Sequence, residues 1–231
     1  MTQPHEIYSE AIEDFLKMVY LLQQEQDRVQ TSALAEALGI TAPSTTEMAK
    51  KLAKANLVIH EPYRGIRLTP AGERVALEIV RNHRLLELFL VQALGYTWDE
   101  VHEEAERLEH AVSERLIQRI TEYLGNPRYD PHGDPIPGPE GELPPRELTP
   151  LSEWTRGEAG VVARLRDQTP EMLRYLAEKG LVVGAQVEVT GADPFDGPLT
   201  LLVNGSRQVI GSRVAHHVLV SARAGNEDAE E

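Results

Sequence analysis

Residues 126–150 read "NPRYDPHGDPIPGPEGELPPRELTP", and a run so dense in proline and glycine sustains neither a helix nor strand pairing. It divides the chain. Before it, apolar residues recur every three or four positions; after it they fall in short alternating runs. The expectation is a mostly α-helical architecture followed by a small β-barrel, with 126–150 as the linker.

In the helical part, Ile12, Phe15, Leu16, Val19 and Leu22 mark one face of a helix starting near Glu6. "TSALAEALGITAPSTTEMAKKLAKANLV" predicts two short helices: Thr31 or Ser32 caps the first, Gly39 ends it, and Pro43 lies in the first turn of the second. "LVIHEPYRGIRLT" follows as two strands around a turn. Together these make a winged helix-turn-helix domain over 1–72. Thr69-Pro70 opens a long helix to about Ala93, Thr97 and Glu100 form a capping box before the next, and Ser113 caps a third that Gly125 ends. Three helices over 73–125 carry more apolar surface than the winged domain can cover, which predicts a homodimer.

Beyond the linker, Thr169-Pro170 to Gly180 predicts a helix. "AQVEVTG", "LTLLVNG", "QVIG" and "HHVLVSA" predict strands of an SH3-like domain over 151–223, with Asn204-Gly205 as a hairpin turn. His216 and His217 then face opposite sides of a strand as structural residues. The tail 224–231 is expected to be disordered.

The chain has no cysteine, which removes disulfides, thiolate zinc sites and thiol catalysis, and leaves His, Asp and Glu as metal ligands. It lacks an apolar run of about 18 residues and a signal-peptide pattern, so a cytoplasmic protein is expected. The net charge of −14 is uneven: 1–75 carry −2, 76–150 carry −8 and 151–231 carry −4.

The acid concentrates in "VHEEAERLEHAVS", residues 101–113. On a helical wheel Val101, Ala105, Leu108 and Val112 define the buried direction, and Glu103 and Glu114 point away from it. Glu109, His102 and Glu106 fall about 80–140° round, on the shoulder of the apolar stripe, with His110 beside them. Carboxylates half-buried together repel unless a cation or protons neutralise them. His83 and Glu87, one turn apart on the preceding helix, offer a second wall. The alternative is an acidic helix salt-bridged to Arg81, Arg84 or Arg107. Oxygen and nitrogen ligands without thiolate point to manganese or ferrous iron before zinc or copper. The stretch is not a zincin motif, because Glu106 stands where that motif needs its second histidine.

Three passages together resemble the diphtheria toxin repressor family of metal-dependent transcriptional regulators, and within it the manganese-responsive branch in its three-domain form. They are "ALGITAPSTTEMAKKLAKANLVIHEPYRGIRLTPAG", "RNHRLLELFL" with "VHEEAERLEH", and "DPHGDPIPG". The resemblance implies a primary metal site of Asp14, Glu106, Glu109 and His110, with carboxylates at Asp14 and Glu106 where iron-type members place sulfur. It implies an ancillary site of His83, Glu87 and His102, giving two sites per subunit. Polar side chains of the third domain complete that site in the family; here the aligned places hold Thr169 and Met172, and Glu171 is the substitute. Lys17 stands where some two-domain manganese regulators carry a further ligand, so their paired-metal site is not expected.

For DNA, the second helix of the motif should enter the major groove of a palindromic operator. Thr41, Pro43, Ser44, Thr46 and Glu47 are candidates for base edges, and Lys50, Lys51, Lys54 and Arg64 for phosphates. Glu47 could accept a hydrogen bond from cytosine or simply suit a helix start. The function expected is a manganese-dependent transcriptional regulator of metal homeostasis, repressor or activator, with iron(II) as the alternative metal and no catalytic residues. A metal-independent winged-helix regulator sensing another ligand is the competing reading, followed by a metal-dependent hydrolase, for which the chain offers no convincing base or oxyanion set.

Overall fold

A computed structural model describes residues 8–222. The expected start near Glu6 and the tail 224–231 lie outside the described residues. The chain forms two compact units.

The first unit comprises the chain up to Leu86, Ala105–Pro127 and Ile136–Leu143. Helices α1 (Glu10–Leu22), α2 (Thr31–Ala37) and α3 (Ala42–Lys54) precede a hairpin of β1 (Val58–Glu61) and β2 (Gly65–Leu68). Phe15, Leu16 and Val19 of α1 meet Leu34, Leu52 and Ile66 in one core. Thr41 caps α3, its Oγ1 accepting from Ser44 N at 3.3 Å. The cap of α2 is Gln30, with no side-chain bond, so neither Thr31 nor Ser32 serves. The cause is upstream: Val29 exchanges both backbone hydrogen bonds with Ile66, which fixes where the extended chain turns into helix.

Helix α4 (Pro70–Leu94) begins in this unit, where Thr69 Oγ1 accepts from Gly72 N at 3.1 Å. Gly72 is obligatory: a Cβ would stand 2.0 Å from the Leu57 carbonyl oxygen. Helix α5 (Val101–Leu108) ends here, and α6 (Glu114–Tyr123) is capped by Ser113 and closed at Gly125, φ 74°.

The second unit comprises Glu87–Glu104, Arg128–Pro135 and the chain from Pro144. Its six-stranded antiparallel sheet runs β3 (Thr149–Pro150), β8 (Val218–Ala222), β4 (Ala159–Leu165), β5 (Gln186–Ala192), β6 (Leu199–Val203), β7 (Ser206–Ile210). Leu173 and Leu176 of α7 (Pro170–Glu178) share its core with Val162, Val189, Leu201 and Val220. Asn204 and Gly205, φ 49° and 83°, form the predicted hairpin turn. Strand β4 was not predicted. His216 and His217 are not on a strand: they end a short helix, α8 (Ser212–His217), and the β-branched run that forms β8 begins only at Val218. His216 Nε2 lies 3.3 Å from Arg166.

Candidate metal centre and nucleic-acid face

In the first unit, α1 places Glu13, Asp14 and Lys17 within one turn of helix opposite the end of α5. Glu109 N still bonds to Ala105 O, but the helix ends at Leu108 and the chain turns, with Ala111 N on Leu108 O. The environments expected from the wheel therefore separate. Glu109 is 1% exposed rather than on a shoulder, while the Glu106 side chain is half-exposed.

His110 joins the two helices. Its Nδ1 lies 2.7 Å from Glu13 Oε2, and its Nε2 lies 2.9 Å from Asp14 Oδ1 and 3.4 Å from Glu109 Oε1. Lys17 Nζ donates to both oxygens of Glu109, at 2.7 and 2.9 Å, and lies 3.6 Å from Glu106. Glu109 Oε2 also meets His83 Nδ1 at 2.5 Å. Burial opposes the charged form of His110, but hydrogen bonds to Asp14 and Glu13 and the charge of Glu109 outweigh it and raise the imidazole to about 10. Burial likewise works against Glu109, yet His83 and Lys17 hold its carboxyl below the ordinary range.

Asp14, Glu109 and His110 offer donor atoms all within 4.8 Å of one another. Four carboxylates (Glu13, Asp14, Glu106, Glu109) gather round Lys17 and the His110 imidazolium in a half-buried space. Hard oxygen and nitrogen donors so placed fit a divalent ion. Glu106 is near through Lys17 but outside that set, and Glu13 is a participant the sequence reading missed.

In the second unit, Glu87 is the hub. Its Oε1 lies 3.2 Å from His102 Nδ1 and its Oε2 lies 3.6 Å from His132 Nδ1. His132 comes from "DPHGDP", whose turn is built by Asp130: its Oδ1 accepts from His132 N and Asp134 N at 2.8 and 2.9 Å. Gly133, φ 85°, is required, since a Cβ would lie 2.0 Å from the Ala163 carbonyl oxygen. His132 Nε2 donates to the Trp98 carbonyl at 2.7 Å, which orients the ring, and its Nδ1 is buried without a hydrogen bond. Burial disfavours its charge, but the facing Glu87, with Asp130 and the Trp98 carbonyl, raises it to about 9. Glu87, Asp130 and His132 also hold donor atoms within 4.8 Å of one another, and the orphaned Nδ1 suits an ion there. The proximity of Asp130 and His132 in sequence was visible, but their meeting with Glu87 was not. Glu171 is exposed in the first turn of α7, 3.7 Å from Arg174, and joins no such set among the described residues.

On α3, Pro43, Ser44, Glu47, Lys50, Lys51 and Lys54 are exposed, as is Arg64 on the turn between β1 and β2. Thr41 Oγ1 and Ser44 Oγ pair at 2.9 Å, and Thr46 Oγ1 donates back to Ala42 O at 2.9 Å. Glu47 is engaged by Lys50 at 3.0 Å, one turn on. Among the described residues no helix is long and apolar enough to cross a membrane.

Residues 8–66 match the model of the iron dependent repressor N-terminal DNA binding domain, 69–138 that of the iron dependent repressor metal binding and dimerisation domain, and 149–222 the FeoA domain. The iron-dependent repressor IdeR of Mycobacterium tuberculosis is 31% identical over 221 residues, covering 90% of this chain and 95% of that one. A manganese-dependent transcriptional repressor in complex with manganese shares 43% identity, with TM-score 0.84, over 92% of this chain and 100% of that one. The manganese regulator SloR shares 32% identity, with TM-score 0.73, over 92% of this chain and 98% of that one. The chain thus belongs to the diphtheria toxin repressor family, whose members are not enzymes but metal-dependent transcriptional repressors that bind operator DNA as homodimers.

Proposed function

We propose that this repressor responds to manganese, with iron(II) the second reading because IdeR, a relative over nearly the full length, is iron-dependent. The observation that carries manganese is the donor set of the first centre: Asp14, Glu109 and His110 lie together, Glu106 is adjacent, and no sulfur ligand is near because the chain has no cysteine and no methionine is among these residues. A solved relative of 43% identity is a manganese complex.

A bound ion would supply positive charge that neutralises these carboxylates and a coordination bond on each donor. The chain supplies the rest. Asp14, on α1 of the winged helix, and Glu109 and His110, at the end of α5, come from segments far apart in sequence, so ligation fixes the first helix against the helices that pair subunits. Two reading helices held at fixed spacing suit a palindromic operator in the cytoplasm. Thr41, Pro43, Ser44, Thr46 and Glu47 face the bases in this reading, and Lys50, Lys51, Lys54 and Arg64 the phosphates. A second ion per subunit is assigned to Glu87, supported by the geometry of His132 and Asp130 and by the family-derived ligands His102 and His83; Glu171 has no geometric support.

The test is operator binding by the full-length protein, titrated with manganese, iron(II) and zinc against chelator controls. Manganese should raise affinity, and Glu106→Ala or His110→Ala should abolish that stimulation while the dimer persists by sedimentation. Stimulation unchanged in both variants would overturn the assignment of the first centre.

A further inference from the structure

The wing contains a polar arrangement that the metal centres and the reading helix leave unexplained. Val29 pairs with Ile66 through both backbone hydrogen bonds, 2.8 and 2.9 Å, so the segment before α2 acts as a third strand beside β2. Arg28 therefore sits at the edge of the hairpin. Its guanidinium reaches past β2 to β1, where Nη2 donates to Glu61 Oε1 at 2.9 Å. The lane it crosses is Gly65, the register partner of Glu61, which has no side chain and whose added Cβ would lie 2.7 Å from the Val29 carbonyl oxygen. From the other side Arg64 Nη1 donates to Glu61 Oε2 at 3.4 Å. One carboxylate thus gathers two guanidinium groups from separate segments at the base of a turn whose Tyr63, φ 65°, is fully exposed. Arg28 Nη1 makes no hydrogen bond. A shielded donor without an acceptor is costly, and a phosphate oxygen satisfies it once the side chain, about a quarter exposed, turns outward.

We propose that Arg28 is a second phosphate-binding residue of the wing, held beside Arg64 by Glu61 acting as a positioning residue. Arg28 and Arg64 exceed Glu61 by a single positive charge, with the exposed Asp27 carboxylate 3.8 Å from Arg28 Nε on the solvent side, and the group lies on the hairpin rather than on the reading helix. Its contribution is to affinity and wing orientation, not to base choice. This rests on the DNA-binding reading of the wing through Arg64.

The experiment measures operator and unrelated-duplex affinities of the full-length manganese-loaded protein across a salt series. Each phosphate contact contributes about 0.9 to the slope of log affinity against log salt, so Arg28→Gln should lower the slope by about 1.8 for a dimer. Between about 50 and 200 mM salt the variant should then lose roughly tenfold less affinity than the parent, equally on both duplexes. Glu61→Gln breaks the same ion pair but keeps both arginines, so it should weaken binding without lowering the slope. If Arg28→Gln fails to fold, Arg28→Gln/Glu61→Gln, which leaves no unpaired charge, is compared with Glu61→Gln and should show the same drop. An unchanged slope for the Arg28 variants while Arg64→Gln lowers it would overturn this inference alone and leave Arg28 a wing tie. Unchanged slopes for Arg28 and Arg64 variants together would overturn the wing's contact with DNA as well.

Discussion

Replacing Lys17 with methionine tests whether the first centre is an acid cluster held together by a tethered cation. Lys17 is 6% exposed and Glu109 1%, and the ammonium donates to both carboxylate oxygens. Methionine fills much of the same volume but leaves Glu109 buried without that partner. Breaking a buried pair from one side typically costs about 3–5 kcal/mol. His83 still reaches Glu109, so the lower end, about 3 kcal/mol, is expected in the metal-free protein. At roughly 2–4 °C per kcal/mol, the melting transition of the first unit should fall by about 6–12 °C at neutral pH in chelator. The pH dependence has a definite sign. The Glu109 carboxyl is held low in the folded state, so its stabilisation is present above the ordinary carboxylate range and is lost as pH falls through the folded value. The deficit of the variant should therefore shrink on acidification. Saturating manganese should raise the melting temperature of the variant more than that of the parent, because an ion can replace the missing charge. Calorimetry or circular dichroism with and without metal reads all three effects. A variant melting within about a degree of the parent in chelator would refute the tethered-cation account.

Three further outcomes follow from the same geometry. His110, raised to about 10, is protonated at neutral pH and contributes stability fully present below its ordinary value and lost as pH rises through about 10; metal ligation must therefore expel about one proton, read by calorimetry in buffers of different ionisation enthalpy, and equal heats would contradict it. Glu106→Cys places a soft thiolate beside the Lys17–Glu109 pair and should shift metal preference from manganese toward zinc by about tenfold in competitive binding. Gly133→Ala combines a positive φ with a 2.0 Å backbone clash and should destabilise the fold around it by about 2 kcal/mol or more, visible as a lowered melting temperature.

Where apolar periodicity governs, the sequence was legible. The three winged-domain helices, the hairpin around Tyr63 and the Asn204-Gly205 turn all follow from local pattern and backbone chemistry. Strand β4 escaped because its register shifts between Val162 and Arg164: the bulge puts Val162 and Ala163 both inside, and alternation is lost. The cap of α2 escaped because tertiary pairing of Val29 with Ile66, not the hydroxyl chemistry of Thr31 and Ser32, sets the helix start. At the proposed first centre the wheel singled out Glu106, Glu109 and His110 but assumed helix beyond Leu108, so it misjudged the burial of Glu109. Glu13 was invisible for a different reason, since its partner His110 is 97 residues away and no local spacing connects them.

The charge count in the first centre bears on how metal and DNA binding are coupled. With His110 protonated, Lys17 and the imidazolium stand among Glu13, Asp14, Glu106 and Glu109. A divalent ion that expels the His110 proton adds two charges and removes one, so the cluster changes by a single unit. That cluster lies between α1 and the end of α5, and not on α3 or the wing, where the exposed cations are. A single unit of charge acts weakly on solvent-exposed phosphates more than a Debye length, about 8–10 Å, away. Charge neutralisation is then the smaller of the two routes by which an ion can favour DNA. The larger is mechanical: an ion ligated by His110 and Asp14, as proposed, would hold α1, and with it the core that α1 shares with α2, α3 and β2, in one orientation. On the proposed assignment, the energy that metal binding contributes to operator recognition would go into fixing the reading head rather than attracting it.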